Sequence, residues 1–150
     1  MVLLISGNRI LLAMKKRGFG KGRWNGPGGK VEQHESIEQA MIRECQEEIG
    51  VTPVRYEKVA IHDFVFPDGQ PDMQVHAFIC TKWRGEPAES EEMAPRWFDI
   101  GKIPYDQMWQ DDEYWLPQIL AGHKLHTRFA FDADENMLTH RVHEAALPAE

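Results

Sequence analysis

Gly29-Lys30-Val31-Glu32-Gln33-His34-Glu35-Ser36-Ile37-Glu38-Gln39-Ala40-Met41-Ile42-Arg43-Glu44-Cys45-Gln46-Glu47-Glu48-Ile49-Gly50-Val51 is the stretch whose reading decides the fold. Ser36 followed three residues later by Gln39 is a capping-box signature. Ile37, Ala40, Met41 and Cys45 recur at helical spacing until Gly50, a residue suited to the position just past a helix. The spacing predicts a helix over 37–49. At about 100° per residue, Ile37, Met41, Glu44 and Glu48 fall on one stripe, with Ala40 and Glu47 on its flank. A merely solubilising glutamate would sit opposite that stripe, near Gln39 or Gln46. These carboxylates instead continue the apolar face and point toward the body of the protein, where they need partners.

Glu44, Glu47 and Glu48 also stand at i, i+3 and i+4, close enough to repel. They crowd the last turns of the helix, where the macrodipole already disfavours negative charge. Arg43 can offset one of the three. The remaining excess is what an oxygen-seeking divalent cation relieves, and Mg2+ is the natural choice, with Mn2+ as a substitute. On these residues alone an acidic helix end, hydrated and countered by lysines from elsewhere, stays open as the plainer reading.

Upstream, six glycines fall between Gly18 and Gly29, interleaved with Lys21, Arg23, Trp24 and Asn25. Phe19 and Trp24 give this stretch something to bury, which makes it an ordered loop rather than a linker. It offers backbone donors close to phosphate, and Lys15, Lys16, Arg17 and Lys30 can counter phosphate charge. It is no Walker loop, since Gly29-Lys30 is followed by Val31. Taken alone, an ordered surface loop with basic decoration explains it at least as well.

Val2 to Ile5 and Ile10 to Met14, split by Ser6-Gly7-Asn8-Arg9, form a strand pair. Val59 to Phe66 and Met73 to Thr81 flank the turn-forming Pro67 to Asp72 and should pair antiparallel. Arg96 to Ile100 is a short strand, and Asp111 to Leu120 a second helix in which Pro117 marks a break or restart. Leu125 to Phe131 and Met137 to Val142 make a closing hairpin, and the tail from Ala145 is expected to fray.

Length, at 150 residues, favours one domain over 1–150. The balance of 17 Lys plus Arg against 24 Asp plus Glu, a formal −7, repels a nucleic-acid polymer. The apolar run Val2 to Ile5 is far too short for a signal-peptide core or a membrane span. Cys45 and Cys80 show no framework of spacings and need no disulfide. The expectation is a cytoplasmic protein, monomeric, without membrane or nucleic-acid partners. The two H-x-x-H pairs, His123/His126 and His140/His143, lack the further ligands of a zinc site.

Gly29, Glu35, Arg43-Glu44-Cys45-Gln46-Glu47-Glu48-Ile49-Gly50-Val51 together resemble the Nudix hydrolase signature, G-x5-E-x7-R-E-u-x-E-E-x-G-u with u apolar. At a background of roughly one in fifteen per fixed identity, a chance match is on the order of one in a hundred million per start. Cys45 at the first apolar position departs only mildly, because a free cysteine behaves as a small hydrophobe. The resemblance implies an α+β fold, a mixed β-sheet sandwiched between helices, and cleavage of a nucleoside diphosphate linked to another group. It implies that Glu44, Glu47 and Glu48 hold the metal, joined by the Gly28 carbonyl, with Arg43 orienting a carboxylate.

Outside that box, Met14 to Gly20, Gly22 to Gly26, Glu91-Glu92-Met93 and Trp109 to Trp115 are similar to the MutT-like oxidised purine nucleoside triphosphatases, the animal 8-oxo-dGTP diphosphatases among them. By that resemblance the substrate is a purine nucleoside triphosphate. Asn25, Asp111 and Asp112 would hydrogen-bond the purine edge, and Phe19, Phe64, Met73 and Trp109 would sandwich its ring. Lys15, Pro27, Gly28, Gly29 and Lys30 would line the substrate, and Glu92 would add a metal-side carboxylate. Adjacent carboxylates accept from a guanine-type edge, and a protonated one could donate instead. Helix capping remains an equal explanation for Asp111-Asp112, and core packing for Phe64, Met73 and Trp109. Gln110 stands where the branch usually has proline, and Pro27 where an aromatic is common. Two rivals stay open: a Nudix hydrolase of another nucleotide (methylated or undamaged purine, dinucleoside polyphosphate), and a silent nucleotide-sensing module.

Overall fold

The computed structural model describes residues 1–148 and divides into two compact units. Among the described residues the first comprises Met1–Glu57 and Phe78–Trp109; the second comprises Lys58–Ala77 and residues 110–148.

In the first unit, β1 (Val2–Ser6) and β2 (Arg9–Lys15) form the expected hairpin, with Leu4 opposite Leu11. Gly7 turns it at φ 58°, a backbone conformation that favours glycine. A two-residue strand absent from the sequence reading, β3 (Trp24–Asn25), pairs with β2 and ties the glycine-rich loop to the sheet. Helix α1 (Ile37–Ile49) follows, then β4 (Thr52–Val65), β5 (Met73–Arg84) and β6 (Met93–Asp99). The sheet is mixed: β1 runs antiparallel to β2 but parallel to β5, and β6 lies antiparallel along the whole of β2.

Both ends of α1 are set by the residues that predicted them. The Ser36 hydroxyl accepts from the Gln39 N–H at 3.0 Å while the Gln39 side chain accepts from the Ser36 N–H at 2.8 Å. Gly50, at φ 72°, donates its N–H to the Gln46 carbonyl and ends the helix. Met41, Cys45 and Ile49 face Val2, Leu4, Leu11, Ala13, Phe78 and Cys80 in one buried cluster. Burying each large aliphatic side chain is worth about 1.5–3 kcal/mol, which holds the helix on the sheet despite its acids. Cys45 and Cys80 are free thiols within that cluster, and burial pushes Cys45 up to about 12.

The second unit holds α2 (Asp112–Leu120), β7 (Leu125–Phe131) and β8 (Met137–Glu144) with the adjoining parts of β4 and β5. β4 runs parallel to β7, placing His62 beside Thr127 and Phe64 beside Phe129. β7 and β8 form the expected antiparallel hairpin, with a register shift between Ala130 and Phe131.

Several boundaries differ from expectation. β4 begins at Thr52 rather than Val59, because Pro53 and the charged Arg55, Glu57 and Lys58 mask its start. Strands β5 and β4 are hydrogen-bonded neighbours as anticipated, and β5 runs on to Arg84. β6 starts at Met93, and Ile100 opens a short 3-10 turn instead of ending the strand. Pro117 breaks nothing: α2 runs through it, and the last N–H bonds close on Pro117, Gln118 and Ile119 carbonyls. β8 extends to Glu144, and the Ala145 N–H still donates to the Lys124 carbonyl. Within the expected frayed tail, Ala149 and Glu150 lie outside the described residues.

Candidate active site

The inward stripe of α1 delivers Glu48 into the interior of the first unit, where the side chain is 4% exposed. Burial, then a hydrogen bond with the Glu44 carboxyl, pushes Glu48 up to about 8, while Lys15 and the Gly28 N–H pull the other way. Glu48 Oε2 has no hydrogen-bond partner. A carboxyl kept proton-sharing and half-partnered is a poor structural element, since an isosteric apolar residue would avoid both costs.

Glu44 lies against Gly29 so closely that a Cβ there would stand 2.5 Å from the carboxylate carbon and 2.6–2.7 Å from its oxygens. A side chain at position 29 would push that carboxylate away from the loop. Glu47 is on the exposed flank, its side chain 60% exposed.

Arg43 organises the outer side. It grips Glu35 with two bonds, Nε to Oε2 at 2.7 Å and Nη2 to Oε1 at 2.9 Å. Its Nη1 donates to Glu44 at 2.8 Å and to Glu47 at 3.2 Å, and Nη2 reaches the Lys30 carbonyl at 3.1 Å. The hydrogen bonds from Arg43 hold Glu35 down at about 2, and Arg43 itself is raised by its acidic partners. One guanidinium therefore ties the loop at Lys30 and Glu35 to two acids of α1.

Among the described residues no three His, Cys, Asp or Glu side chains converge as a ready-made metal site. The donor chemistry nevertheless suits a hard divalent cation. Burial makes Glu48 hold a proton that such an ion would replace, Glu48 Oε2 is unpartnered, and the Gly29 cradle keeps Glu44 close to the loop. Glu92 is countered by two cations. Its carboxylate is bound by Arg17 at 2.6 Å and Lys15 at 3.3 Å, and these cations hold it low. Lys16 pairs with Glu89 at 2.5 Å and with the Ser90 carbonyl.

Among the remaining first-unit residues, Pro27 gives its carbonyl to the Val2 N–H at 2.9 Å, locking the loop to β1. Asn25 Oδ1 accepts from the Gly26 N–H. Phe19, 55% exposed, stands 5.1 Å from Trp109, and the Arg23 guanidinium lies 4.0 Å over the Trp109 ring.

In the second unit, Asp111 and Asp112 are 2% and 4% exposed. Capping does not account for them, because the Asp111 side chain makes no cap hydrogen bond to α2. Asp111 Oδ2 instead accepts from Trp115 Nε1 at 2.9 Å, and Asp111 Oδ1 and Asp112 Oδ2 have no partner. Burial pushes Asp111 up to about 6, and burial with the neighbouring Asp111 charge pushes Asp112 well up, so the pair holds a proton more readily than two free carboxyls. Phe64 stacks on Phe129 at 5.9 Å, while Met73 is exposed.

Three features escaped the sequence reading. Trp115 as donor to Asp111 follows from an i, i+4 spacing that was there to be used. The Thr127 hydroxyl paired with buried His62 at 2.7 Å depends on strand register across 65 residues and has no local signal. The Arg43–Glu35 fork joins residues on either side of the helix start and is carried in the sequence only by spacing.

A family model described as the NUDIX domain matches residues 1–119. Over 144 residues the chain is 46% identical to the oxidized purine nucleoside triphosphate hydrolase of Danio rerio, covering 96% of this chain and 92% of that protein. It is 42% identical, with the same coverage, to the Mus musculus protein of that name. A MutT protein from Bacillus halodurans shares the fold at a TM-score of 0.83 and 27% identity, over 94% of each chain. The α+β arrangement with its mixed sheet, the acidic spacing on α1 and these relatives agree: the chain belongs to the Nudix family.

Proposed function

We propose that this protein hydrolyses oxidised purine deoxynucleoside triphosphates to the monophosphate and pyrophosphate, with Mg2+ as the metal. Acting in the cytoplasm as a monomer on the free nucleotide pool, it would keep damaged precursors out of DNA. The observation that carries the substrate class is the buried Asp111-Asp112 pair with one proton to share. Such a pair presents both an acceptor and a donor to a purine edge. The names of the animal relatives, nearly full-length and above 40% identical, support the same class.

Glu44 and Glu48 are the carboxylates that would hold the metal, with Glu47 and the Gly28 carbonyl completing the set. When bound, Mg2+ supplies charge neutralisation for the phosphates and a more acidic water. Arg43 keeps Glu44 and Glu47 oriented, and Lys15 and Lys30 would add positive charge toward the phosphates. A water oxygen bonds to phosphorus, the bridging P–O bond breaks, pyrophosphate leaves with its electron pair, and a carboxylate of α1 takes the proton.

The test is a panel of normal, oxidised and methylated purine triphosphates at equal concentration with Mg2+, reading pyrophosphate from each. Preference for an oxidised purine is expected. Equal release from the undamaged nucleotides would refute the substrate assignment, and no metal-dependent release from any would refute enzymatic activity.

A further inference from the structure

His62 is among the most deeply buried polar groups in the second unit, at 0% exposure, and nothing in the hydrolytic chemistry uses it. Its surroundings are aromatic: the imidazole lies 4.2 Å from the Trp115 ring at a 50° tilt, with Phe64 at 5.8 Å and Phe129 at 6.1 Å. The parallel pairing of β4 with β7 sets His62 directly beside Thr127, whose hydroxyl lies 2.7 Å from Nδ1. The other nitrogen, Nε2, is buried without a partner. Leaving such an atom unsatisfied costs about 1–3 kcal/mol, so a phenylalanine or leucine would fill this space at less expense. Stability alone does not explain a histidine here.

What the histidine does contribute is orientation. The Thr127 bond fixes the imidazole about its side-chain axis, and the fixed ring bears on the indole of Trp115. That indole is the donor to Asp111 Oδ2 at 2.9 Å. Donation to a carboxylate favours its ionised form, so where the indole points bears on how the Asp111-Asp112 pair holds its proton. Burial pushes His62 down to about 3, so the ring is neutral and adds no charge of its own.

We infer that His62, locked by Thr127, is a positioning residue that aims Trp115 at Asp111 and thereby sets which oxidised purine the protein prefers. The inference rests on the purine-reading role proposed above for Asp111 and Asp112. It makes the Thr127 hydroxyl, remote in sequence from every family motif, a determinant of specificity.

The experiment compares Thr127→Val, Thr127→Ser, His62→Phe and Asp112→Asn, each first shown to unfold cooperatively. KM and kcat are measured with the triphosphates of oxidised guanine and oxidised adenine in Mg2+, and the Trp115 indole N–H resonance is followed by NMR. Thr127→Val keeps the volume and removes the bond. It should change the ratio of kcat/KM for the two substrates by about fivefold, through KM with kcat kept, and should move the indole resonance. His62→Phe should do the same, while Thr127→Ser, which keeps the hydroxyl, should behave as the parent. A plain packing role predicts the reverse order, with serine the more damaging change. If Asp112→Asn alters the ratio but Thr127→Val leaves ratio and resonance unchanged, the inference is overturned while the reading of the pair stands. If Asp112→Asn itself leaves the ratio unchanged, that reading fails and takes this inference with it.

Discussion

Glu48→Gln separates the two roles a buried carboxyl can have. Glu48 is held at about 8 against an ordinary 4.5. An acid raised in the folded state contributes its full stability below 4.5 and loses it as pH climbs through about 8. Near pH 7 linkage puts the cost of keeping this carboxyl, relative to a neutral amide of the same shape, at about 3 kcal/mol as an order of magnitude. Metal-free Glu48→Gln should therefore be more stable than the parent by up to that amount, at about 2–4 °C of Tm per kcal/mol. Mg2+ should raise the Tm of the parent and leave the variant unmoved. Turnover should fall about 10^2- to 10^3-fold, as when one preorganised electrostatic group is removed. Thermal unfolding in EDTA and in Mg2+, beside pyrophosphate release, checks all three. A variant less stable than the parent without metal, or one retaining turnover within tenfold, would refute the reasoning.

Other consequences follow from the same geometry. Gly29→Ala places a methyl 2.5 Å from the Glu44 carboxylate carbon, so the side chain must swing away; turnover should fall tenfold or more, roughly, with Tm little changed. Arg43→Lys cannot span Glu35 and Glu44 together. Glu35, held at about 2 in the parent, should titrate higher by NMR, and activity should drop with it. Stability carried by the protonated Asp111-Asp112 pair is complete below the ordinary 3.8 and declines as pH rises through about 6; urea unfolding of Asp112→Asn across that window should show a flatter slope. Ser36→Ala removes the cap bond to Gln39 and should cost about 1 kcal/mol without altering the substrate preference.

The parts of this molecule that sequence discloses are those fixed by local chemistry. Ser36, Gln39 and Gly50 bound α1 because capping is a short-range matter, and the wheel foretold that Glu48 turns inward while Glu47 sits on the flank. The Asp111-Asp112 doublet was ambiguous for the same reason: two acids at a helix start suit capping as well as recognition, and only their burial and the Trp115 bond decide against capping. Pro117 misled because a proline in the final turns of a nine-residue helix removes little hydrogen bonding. The start of β4 was hidden by charged residues that an exposed stretch of strand tolerates. His62 with Thr127, and Glu92 with Arg17 and Lys15, depend on contacts between residues 65 to 77 positions apart, beyond any periodicity.

The claim underneath all of this is that Glu44 and Glu48 tolerate one another because a divalent cation belongs between them and the substrate. Crystals grown with Mn2+ and a non-hydrolysable analogue of an oxidised purine triphosphate test it directly through anomalous scattering. A Mn2+ peak bonded to oxygens of both Glu44 and Glu48 and to a phosphate oxygen is the predicted result. A bound nucleotide with no metal on those two side chains would contradict it.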